Sequence, residues 1–528
     1  MTQPKKREGF LYGALMLSLS GILVKIIGIF FRIPLTNMVG SAVMAHYSSA
    51  YEVYNLMLSL ATSGLPIGIS AMISKSLALG KYRDVRTLIR SVAVIFVSAG
   101  ALLTVLGMIF AMPIAEGMNS RETYSCIFNI MPAIVTMAAV SVFRGFFQGY
   151  NNMNPTAISN VIEAVTKLGV GYGLAYYRQA NGYPPHEVVA GAILGVTMGT
   201  VASCLFLVLR YVFRKDEYRI SVSQFMADVG TPRRKLLKEF FIVTLPIMLS
   251  SVTVHLFGLI DAAVVMNTLK NAFSLEFAQL NWGAYSNMSL TIFNLPSFLV
   301  INIGVSMVPS ISAAYARRDE SALRFTLNKA LRYSSVLAFA CAFGLMAVAQ
   351  QSVDFIYSTQ GTEIAGRLLQ ILSISLIAVG LTNVTGYVLQ SIGKAYLSVL
   401  SVAVGAVVKT AATVIFTSIP SLNIYGAPLA TNIAWPVMLV MNLLFLRREL
   451  GFSVRVADVF LKPLGCGVAC FAAAFGVSWL LSGKIPDRVL LFLAILAGAV
   501  VYVALILLVK LVSFDEIRSL VGKKRRKS

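Results

Sequence analysis

Long apolar stretches, separated by short polar breaks, recur along the chain from Phe10 almost to its C-terminus. Each is long enough to cross a bilayer as an α-helix, which takes about 20 residues. Transmembrane barrel strands would instead alternate polar and apolar positions over about ten residues, and no such alternation runs through the chain. The pattern predicts an all-α polytopic membrane protein with about 14 spans, at residues 10–35, 47–73, 88–112, 124–148, 155–178, 187–212, 239–267, 283–309, 328–350, 365–390, 396–419, 424–446, 457–481 and 486–511.

Composition supports this interpretation. The 528 residues are 57% hydrophobic and 12% charged, with a mean hydropathy of +0.78, whereas soluble domains carry about twice that charged fraction. The first apolar stretch is too long for the core of a secretory signal peptide and lacks a small-residue cleavage site, so we expect it to be retained. Cys466 and Cys470, one helical turn apart in an apolar segment, are interpreted as core residues.

Basic residues are concentrated in alternate breaks between the spans. If the N-terminus is cytoplasmic, the cytoplasmic connections hold Lys75, Lys81, Arg83, Arg86, Arg214, Lys215, Arg219, Arg233, Arg234, Lys235, Lys238, Arg317, Arg318, Arg324, Arg447, Arg448 and Arg455. The opposite breaks are nearly free of cations, so the positive-inside rule places both termini in the cytoplasm. The excess of cations, a net charge of +22, is then expected to lie along the cytoplasmic face of the membrane, where it would meet anionic lipid head groups. No nucleic-acid partner is expected.

Two halves of the chain resemble each other in the same order. "LPIGISAMIS" (65–74) matches "INIGVSMVPS" (301–310), "FQGYNNMNPTAISNVIEAVTK" (147–167) matches "LQSIGKAYLSVLSVAVGAVVK" (389–409), and "GAILG" (191–195) matches "GAPLA" (426–430). A shift of six spans preserves orientation, which predicts parallel repeats. The predicted domains are an N-lobe (1–212), a cytoplasmic linker (213–238), a C-lobe (239–447), two added spans (448–512) and a basic cytoplasmic tail (513–528).

The repeat and three motifs resemble a known family. "SGILVKIIGIFFRIPLTNMVG", "GLPIGISAMISK" and "FRGFFQGYNNMNPTAISNVIEAVTKL" are similar to the lipid II flippase and stage V sporulation protein B branch of the multidrug/oligosaccharidyl-lipid/polysaccharide exporter superfamily. The resemblance implies alternating access in a bacterial plasma membrane. The cargo would be an undecaprenyl-diphosphate-linked peptidoglycan precursor for cell wall biogenesis or sporulation, with its lipid tail in a groove at spans 13 and 14. Alternatives are another polyprenyl-linked polysaccharide unit or a cation-coupled multidrug exporter.

Two cations in the first span are candidate substrate ligands. Lys25 and Arg32 are seven residues apart and share one helix face. In a cavity they would hold a diphosphate, Arg as a planar fork and Lys as a point charge. The alternative is that Arg32 reaches the membrane surface while Lys25 pairs with an acid. Gram-negative members of the branch carry arginines in span 2, but "YNLMLSLATSG" (54–64) has none.

Three more ionisable residues lie at predicted membrane depth: Glu52, His255 and Asp261. A carboxylate or imidazole there would couple transport to protons, or would serve as a structural partner for the cations. Three prolines within spans are predicted to create kinks and are hinge candidates: Pro66, Pro246 and Pro296.

Span 5 contains a further pair. Glu163 and Lys167 are spaced i,i+4, which predicts an ion pair on one helix. The repeat-related Lys409 has Gly405 in place of the acid, so Lys409 is predicted to be the better functional candidate of the two lysines.

The motifs of an ATP-driven pump or an enzyme are missing. The sequence has no phosphate-binding loop, nucleophile–base set or metal-ligand spacing. We therefore expect no enzyme activity, metal or cofactor, and a monomer driven by the membrane potential or by a Na⁺ or H⁺ gradient. An inside-negative potential favours export of anions by about 2.3 kcal/mol per charge per 100 mV.

Overall fold

The structure, a computed structural model, describes residues 10–214 and 230–512 and contains no β-strand in these ranges. The predicted basic tail and most of the predicted linker lie outside these ranges. The helices are α1 Phe10–Val39, α2 Ser41–Thr62, α3 Leu65–Ala78, α4 Tyr82–Ile109, α5 Ala111–Gly117, α6 Thr123–Ile130, α7 Pro132–Gly149, α8 Asn154–Ala180, α9 Pro185–Phe213, α10 Arg233–Ala272, α11 Leu275–Gly283, α12 Leu290–Ala316, α13 Glu320–Ala347, α14 Ala349–Ile356, α15 Thr362–Ser373, α16 Ser375–Ser391, α17 Ala395–Thr417, α18 Gly426–Leu450, α19 Lys462–Leu481 and α20 Asp487–Leu508.

Every predicted span coincides with helix, which confirms the all-α fold class. Among the described residues, 11 helices are long and apolar enough to cross a membrane, or 12 if α15 and α16, bent by 48° at their junction, form one span. The other two predicted spans coincide with α8, which carries more polar residues, and with α11 and α12. The count of 14 spans and the side of the termini stay predictions.

The second predicted span is broken between α2 and α3. Gly64 has a φ of 78°, in the left-handed region that glycine adopts without a Cβ penalty. Pro66 follows in the first turn of α3, where its missing N–H removes no intrahelical hydrogen bond. The backbone is helical through Pro246 and Pro296 in α10 and α12, and the side chain of Pro246 lies outside the described part of the chain. Hinge roles for all three prolines stay predictions.

The chain divides into two compact units, residues 1–267 and 268–528. Most of α10 therefore belongs to the N-terminal unit, and the predicted domain boundaries stay predictions. Contacts along α10 explain this grouping: Lys75 Nζ lies 2.8 Å from Glu239 Oε2, and the Ser63 hydroxyl lies 2.8 Å from that of Ser251. Helix α10 therefore runs antiparallel to α2 and α3, and these side-chain contacts connect it to them.

The same helix pairs pack in both units. In the N-terminal unit α3 and α4 contact α7, and α9 contacts both α7 and α8. In the C-terminal unit α12 and α13 contact α16, and α18 contacts both α16 and α17. These pairs correspond under the shift of six predicted spans, so the packing supports the internal repeat. The added helices α19 and α20 pack against each other, with α19 on α13, and bury Cys466 and Cys470 beside Tyr502.

In the C-terminal unit, three connections with predicted cytoplasmic parity meet at one end. Arg324, at the start of α13, donates hydrogen bonds to the carbonyls of Leu450 and Gly451 after α18. Lys394, between α16 and α17, forms a 2.9 Å ion pair with Glu449. The alternation of connections between opposite ends follows the order that the charge distribution predicts.

Candidate functional site

Three tyrosines form an aromatic face on α2. Tyr47, Tyr51 and Tyr54 follow the i, i+4, i+7 spacing that places side chains on one side of a helix. Their ring centroids are 5.4 Å and 5.5 Å apart along the series. Phe31 of α1 extends the series, 6.1 Å from Tyr47. This tyrosine face, the three tyrosines of α2, is where α1 and α8 present their cations.

Two cations converge on Tyr47 from different helices. Arg32 of α1 donates a 3.1 Å hydrogen bond to the hydroxyl of Ser48, and its guanidinium carbon lies 5.7 Å from the centre of the Tyr47 ring. The Lys167 ammonium of α8 lies near the hydroxyls of Tyr47 and Tyr51. Its Nζ also lies 4.9 Å from the Phe31 ring centre and 5.1 Å from that of Tyr51. Such cation–ring contacts contribute about 0.5 to 2 kcal/mol, more when desolvated.

The predicted pair of Glu163 with Lys167 is wrong in its partner. Glu163 Oε2 lies 2.9 Å from a guanidinium nitrogen of Arg144 on α7. The same guanidinium donates to the hydroxyls of Ser159 at 3.1 Å and Ser203 at 3.3 Å. A planar guanidinium can donate to several acceptors at once, so Arg144 forms the ion pair with Glu163 of the neighbouring helix. Lys167 turns to the aromatic rings and forms no ion pair with any described carboxylate.

Sequence reasoning missed Arg144, although a signal was present. Arg144 lies inside the predicted span 124–148, in the motif "FRGFFQGYNN", so the criterion that selected Lys25 would also have selected it. The reason for preferring Lys409 over Lys167 also fails, because Glu163 does not neutralise Lys167. Lys409 is half-buried on α17 in the C-terminal unit, and its functional role stays a prediction.

The structure brings Glu52 close to the α10 helix that carries His255 and Asp261. The Glu52 carboxylate lies against Gly258 and leaves no room for a Cβ at that position. His255 and Asp261 lie three residues before and after Gly258, so each is about one helical turn from the Glu52 carboxylate along α10. Asp261 is 6% exposed. The three candidates therefore belong to one region of the N-terminal unit, and their coupling or structural roles stay predictions.

Lys25 lies two turns before Arg32 on α1 and is exposed, while Arg32 is half-buried. The two residues share a face of the helix, as the spacing predicts. Arg32 contacts the tyrosine face, and the cavity role of Lys25 stays a prediction.

A separate polar cluster surrounds His46. The His46 ring lies in helix α2, with Nδ1 at 2.9 Å from the Ser120 hydroxyl and Nε2 at 3.1 Å from Glu122. Because His46 is 2% exposed, these partners satisfy a buried ring and tie α2 to the start of α6. Within residues 10–214 and 230–512, no group of three or more His, Cys, Asp or Glu side chains is placed to hold a metal ion.

Comparisons with known proteins agree with this architecture. Residues 10–315 match the family described as polysaccharide biosynthesis protein. The chain is 24% identical to stage V sporulation protein B of Bacillus subtilis (strain 168) over 523 residues, which cover 97% of this chain and 98% of that protein. It is 22% identical to the lipid II flippase MurJ of the same organism over 526 residues, which cover 93% and 94% of the two chains.

Solved structures show the same fold. The lipid II flippase MurJ in an inward closed conformation aligns with a TM-score of 0.70 at 14% identity, covering 93% of this chain and 98% of that one. An inward-facing multidrug resistance transporter of the MATE family aligns with a TM-score of 0.68 at 17% identity, covering 83% and 98%.

These findings confirm the resemblance that the motifs indicated, and the similar proteins include a lipid II flippase and a multidrug resistance transporter. Together with the apolar helices, they identify a multi-pass protein of a bacterial membrane. The chain belongs to the polysaccharide biosynthesis protein family.

Proposed function

We propose that this protein is a flippase for a polyprenyl-diphosphate-linked glycolipid, with the peptidoglycan precursor lipid II as its substrate. The head group would cross from the inner to the outer leaflet by alternating access. The similarity to the lipid II flippase MurJ over almost the whole chain supports a lipid-linked substrate. The tyrosine face with its two cations supports an anionic one.

The observation that carries the proposal is the convergence of Arg32 and Lys167 on Tyr47, in helices that belong to predicted membrane spans. A cation in the middle of a membrane helix costs about 2.5 to 3.5 kcal/mol on insertion scales, so such residues are retained where they have a function. Lys167 forms no ion pair with a carboxylate in the described part of the chain. Its charge therefore remains available to an anionic cargo, held in place by rings that do not neutralise it.

The energetics are sufficient without a nucleotide. A diphosphate with two negative charges would gain roughly 4.6 kcal/mol per 100 mV on moving outward through an inside-negative potential. Glu52, His255 and Asp261 are the groups that would bind a coupling proton or Na⁺ while the empty carrier resets. The membrane potential or an ion gradient is thus the proposed energy source.

The test is complementation of a bacterial strain depleted of its lipid II flippase, followed by flipping of a labelled undecaprenyl-diphosphate glycolipid in proteoliposomes. Lys167→Gln should abolish rescue and reduce flipping at least tenfold, because an uncompensated cation is removed from the site. Lys484→Gln is the matched control: it also removes one lysine charge, but from an exposed position between α19 and α20, and should behave as wild type. Lys25→Ala should also abolish rescue if the cavity role predicted for Lys25 is correct.

Folding must be separated from transport. Expression level and a single peak in size-exclusion chromatography should be unchanged for Lys167→Gln, and Lys167→Arg, which keeps the charge, should retain part of the activity. Wild-type flipping by both Lys167→Gln and Arg32→Gln would contradict an anion-binding role for these cations. Efflux of cationic dyes by the wild type, without glycolipid flipping, would identify a multidrug exporter instead.

A second candidate substrate is another polyprenyl-linked polysaccharide unit. The family description and the match to stage V sporulation protein B over 98% of its length favour it. It would retain the diphosphate and therefore the same dependence on Lys167. Failure to rescue a lipid II flippase deficiency, combined with rescue of a strain defective in surface polysaccharide export, would favour this candidate.

A further inference from the structure

A cavity with a strongly positive lining lies in the C-terminal unit, between α13 and the segment that precedes α19. It has a volume of about 400 Å³. We call it the basic crevice, and its lining residues are Arg324, Phe325, Asn328, Lys329, Arg332, Arg455, Asp458 and Val459.

One wall of the basic crevice is a face of α13. Arg324, Asn328 and Arg332 follow at intervals of four residues, so they line one side of the helix. Arg324 is held in place because its guanidinium donates to the carbonyl of Gly451 at 3.1 Å and to that of Leu450 at 3.3 Å. The cationic wall is thus oriented by the turn that follows α18.

The other wall is a short π-helical turn, Ala457–Leu461, directly before α19. π-turns are rare and often lie at functional sites. Pro463 has no N–H to offer the carbonyl of Val459 four residues earlier. The hydroxyl of Ser335 on α13 donates to that carbonyl instead. This hydrogen bond joins the two walls, so the crevice is a built feature of the fold.

Positive charge exceeds negative charge in the lining of the crevice. Four cations line it with a single carboxylate, Asp458, which lies 2.6 Å from Lys462 outside the lining, while Arg324 lies 3.8 Å from Glu320 on the same helix. Lys329 contacts the rings of Phe325 at 5.7 Å and Tyr333 at 5.6 Å. In the described part of the chain, neither Lys329 nor Arg455 forms an ion pair.

A neighbouring cavity of about 560 Å³ provides an internal comparison. Its charged lining is balanced, since it holds two arginines and three acids: Arg318, Arg324, Asp319, Glu320 and Glu449. This neighbouring cavity therefore lacks the positive excess of the basic crevice.

Apolar groups at the mouth indicate the kind of ligand. Phe325 is 67% exposed, and Val456 and Leu461 on either side of the π-turn wall are 57% and 62% exposed. The connections at this end carry the parity and the charge predicted for the cytoplasmic face. Cationic pockets between membrane helices on that face are suited to lipid phosphates.

We propose that the basic crevice binds the phosphate group of an anionic phospholipid of the inner leaflet. Arg324, Arg332, Lys329 and Arg455 would surround the phosphate, and the exposed apolar side chains would lie along the acyl region. Arginine forks and a lysine point charge are the usual donors to phosphate oxygens. The site does not depend on the transport substrate, so it can be tested separately from the proposed flippase activity.

The experiment is native mass spectrometry of the full-length protein in detergent, titrated with phosphatidylglycerol, phosphatidylcholine or inorganic pyrophosphate. The wild type should retain one phosphatidylglycerol in preference to phosphatidylcholine. Each cation near the surface contributes about a fivefold gain in affinity for an anionic lipid. Lys329→Gln combined with Arg455→Gln should therefore weaken phosphatidylglycerol binding about 25-fold.

The matched control removes the same number of charges at the same end of the unit. Arg447 and Arg448 are exposed at the end of α18 and do not line the crevice, so Arg447→Gln with Arg448→Gln should retain binding. Equal loss in both double variants would show a diffuse charge effect and overturn the site. Equal retention of phosphatidylcholine, or binding of pyrophosphate without phosphatidylglycerol, would also overturn the assignment to an anionic lipid.

A variant that fails to fold is guarded against in two ways. Arg455 lies on an exposed connection, so the single variant Arg455→Gln should fold. Its affinity for phosphatidylglycerol should fall about fivefold. Lys329→Arg keeps the charge and should bind phosphatidylglycerol as the wild type does. The proposal would be refuted if the two single variants, Arg455→Gln and Lys329→Gln, were both monodisperse and both bound phosphatidylglycerol with wild-type affinity.

Discussion

The pairing of Arg144 with Glu163 gives a direct test of how the tertiary structure assigns charges inside the membrane. We consider a double-mutant cycle with Arg144→Met and Glu163→Gln, and a second cycle with Lys167→Met and Glu163→Gln. The structure predicts strong coupling in the first cycle, because the two charged groups lie 2.9 Å apart. It predicts almost none in the second, although its residues have the favourable i,i+4 spacing.

The magnitude follows from burial and from the remaining partners. Removing one member of a fully buried ion pair costs about 3 to 5 kcal/mol, because the other charge is left uncompensated. The side chains of Arg144 and Glu163 are 13% and 29% exposed, and Arg144 keeps the hydroxyls of Ser159 and Ser203 as acceptors. We therefore expect each single variant to lose about 2 kcal/mol of unfolding free energy, with a coupling energy of about 1.5 kcal/mol.

The assay is reversible unfolding in mixed detergent and SDS micelles, monitored by far-ultraviolet circular dichroism. The coupling of Glu163 with Lys167 should stay below about 0.5 kcal/mol, the usual scatter for residues that do not interact. If this second coupling exceeds that of Glu163 with Arg144, the helix spacing, and not the packing of α7 on α8, decides the pair. The reasoning above would then be refuted.

Two further predictions concern packing and pH. Gly195→Ala should destabilise the protein by about 1 to 3 kcal/mol in the same unfolding assay, because the added Cβ would overlap the backbone of Gly171 on α8. The control is Gly173→Ala, whose Cβ would meet open space, and it should be neutral or slightly stabilising. Asp319 caps α13 by accepting from the N–H of Ala322, and this bond holds the pKa of Asp319 below its usual value. Because the pKa of Asp319 is lower in the folded state, its carboxylate stabilises the protein at pH values above the unfolded pKa of about 3.9. The difference in melting temperature between the wild type and Asp319→Ala should therefore shrink as the pH falls below that value. A melting-temperature difference that does not change with pH would contradict this prediction.

Much of the architecture followed from the order of residues because it depends on local rules. Long apolar runs form helices in a membrane, since no water is there to satisfy the backbone. The cations are concentrated in every second connection, and the connections of the C-terminal unit that meet through Arg324 belong to that cation-rich set. The similarity between 147–167 and 389–409 predicted helix pairs that both units do contain. These features need no knowledge of which helices touch.

The partners of the charged residues required the tertiary structure. Glu163 and Lys167 have the spacing of an ion pair on one helix, yet Arg144, remote in sequence, takes the acid, and the rings of α1 and α2 take the lysine. Both outcomes depend on contacts of α8 with α7, α1 and the tyrosines of α2, which spacing along one helix does not encode.

By itself, the sequence determined that this protein is a helical membrane protein with a repeated half and a positive rim, because hydropathy, charge and repetition are properties of consecutive residues. Only the tertiary structure decided that Arg32 and Lys167 share Tyr47 and that a face of α13 and the segment between α18 and α19 enclose the basic crevice. The physical reason is that hydrogen bonds, cation–ring contacts and cavities form between residues far apart in the chain. Their energies depend on distances of a few ångströms that helix packing sets.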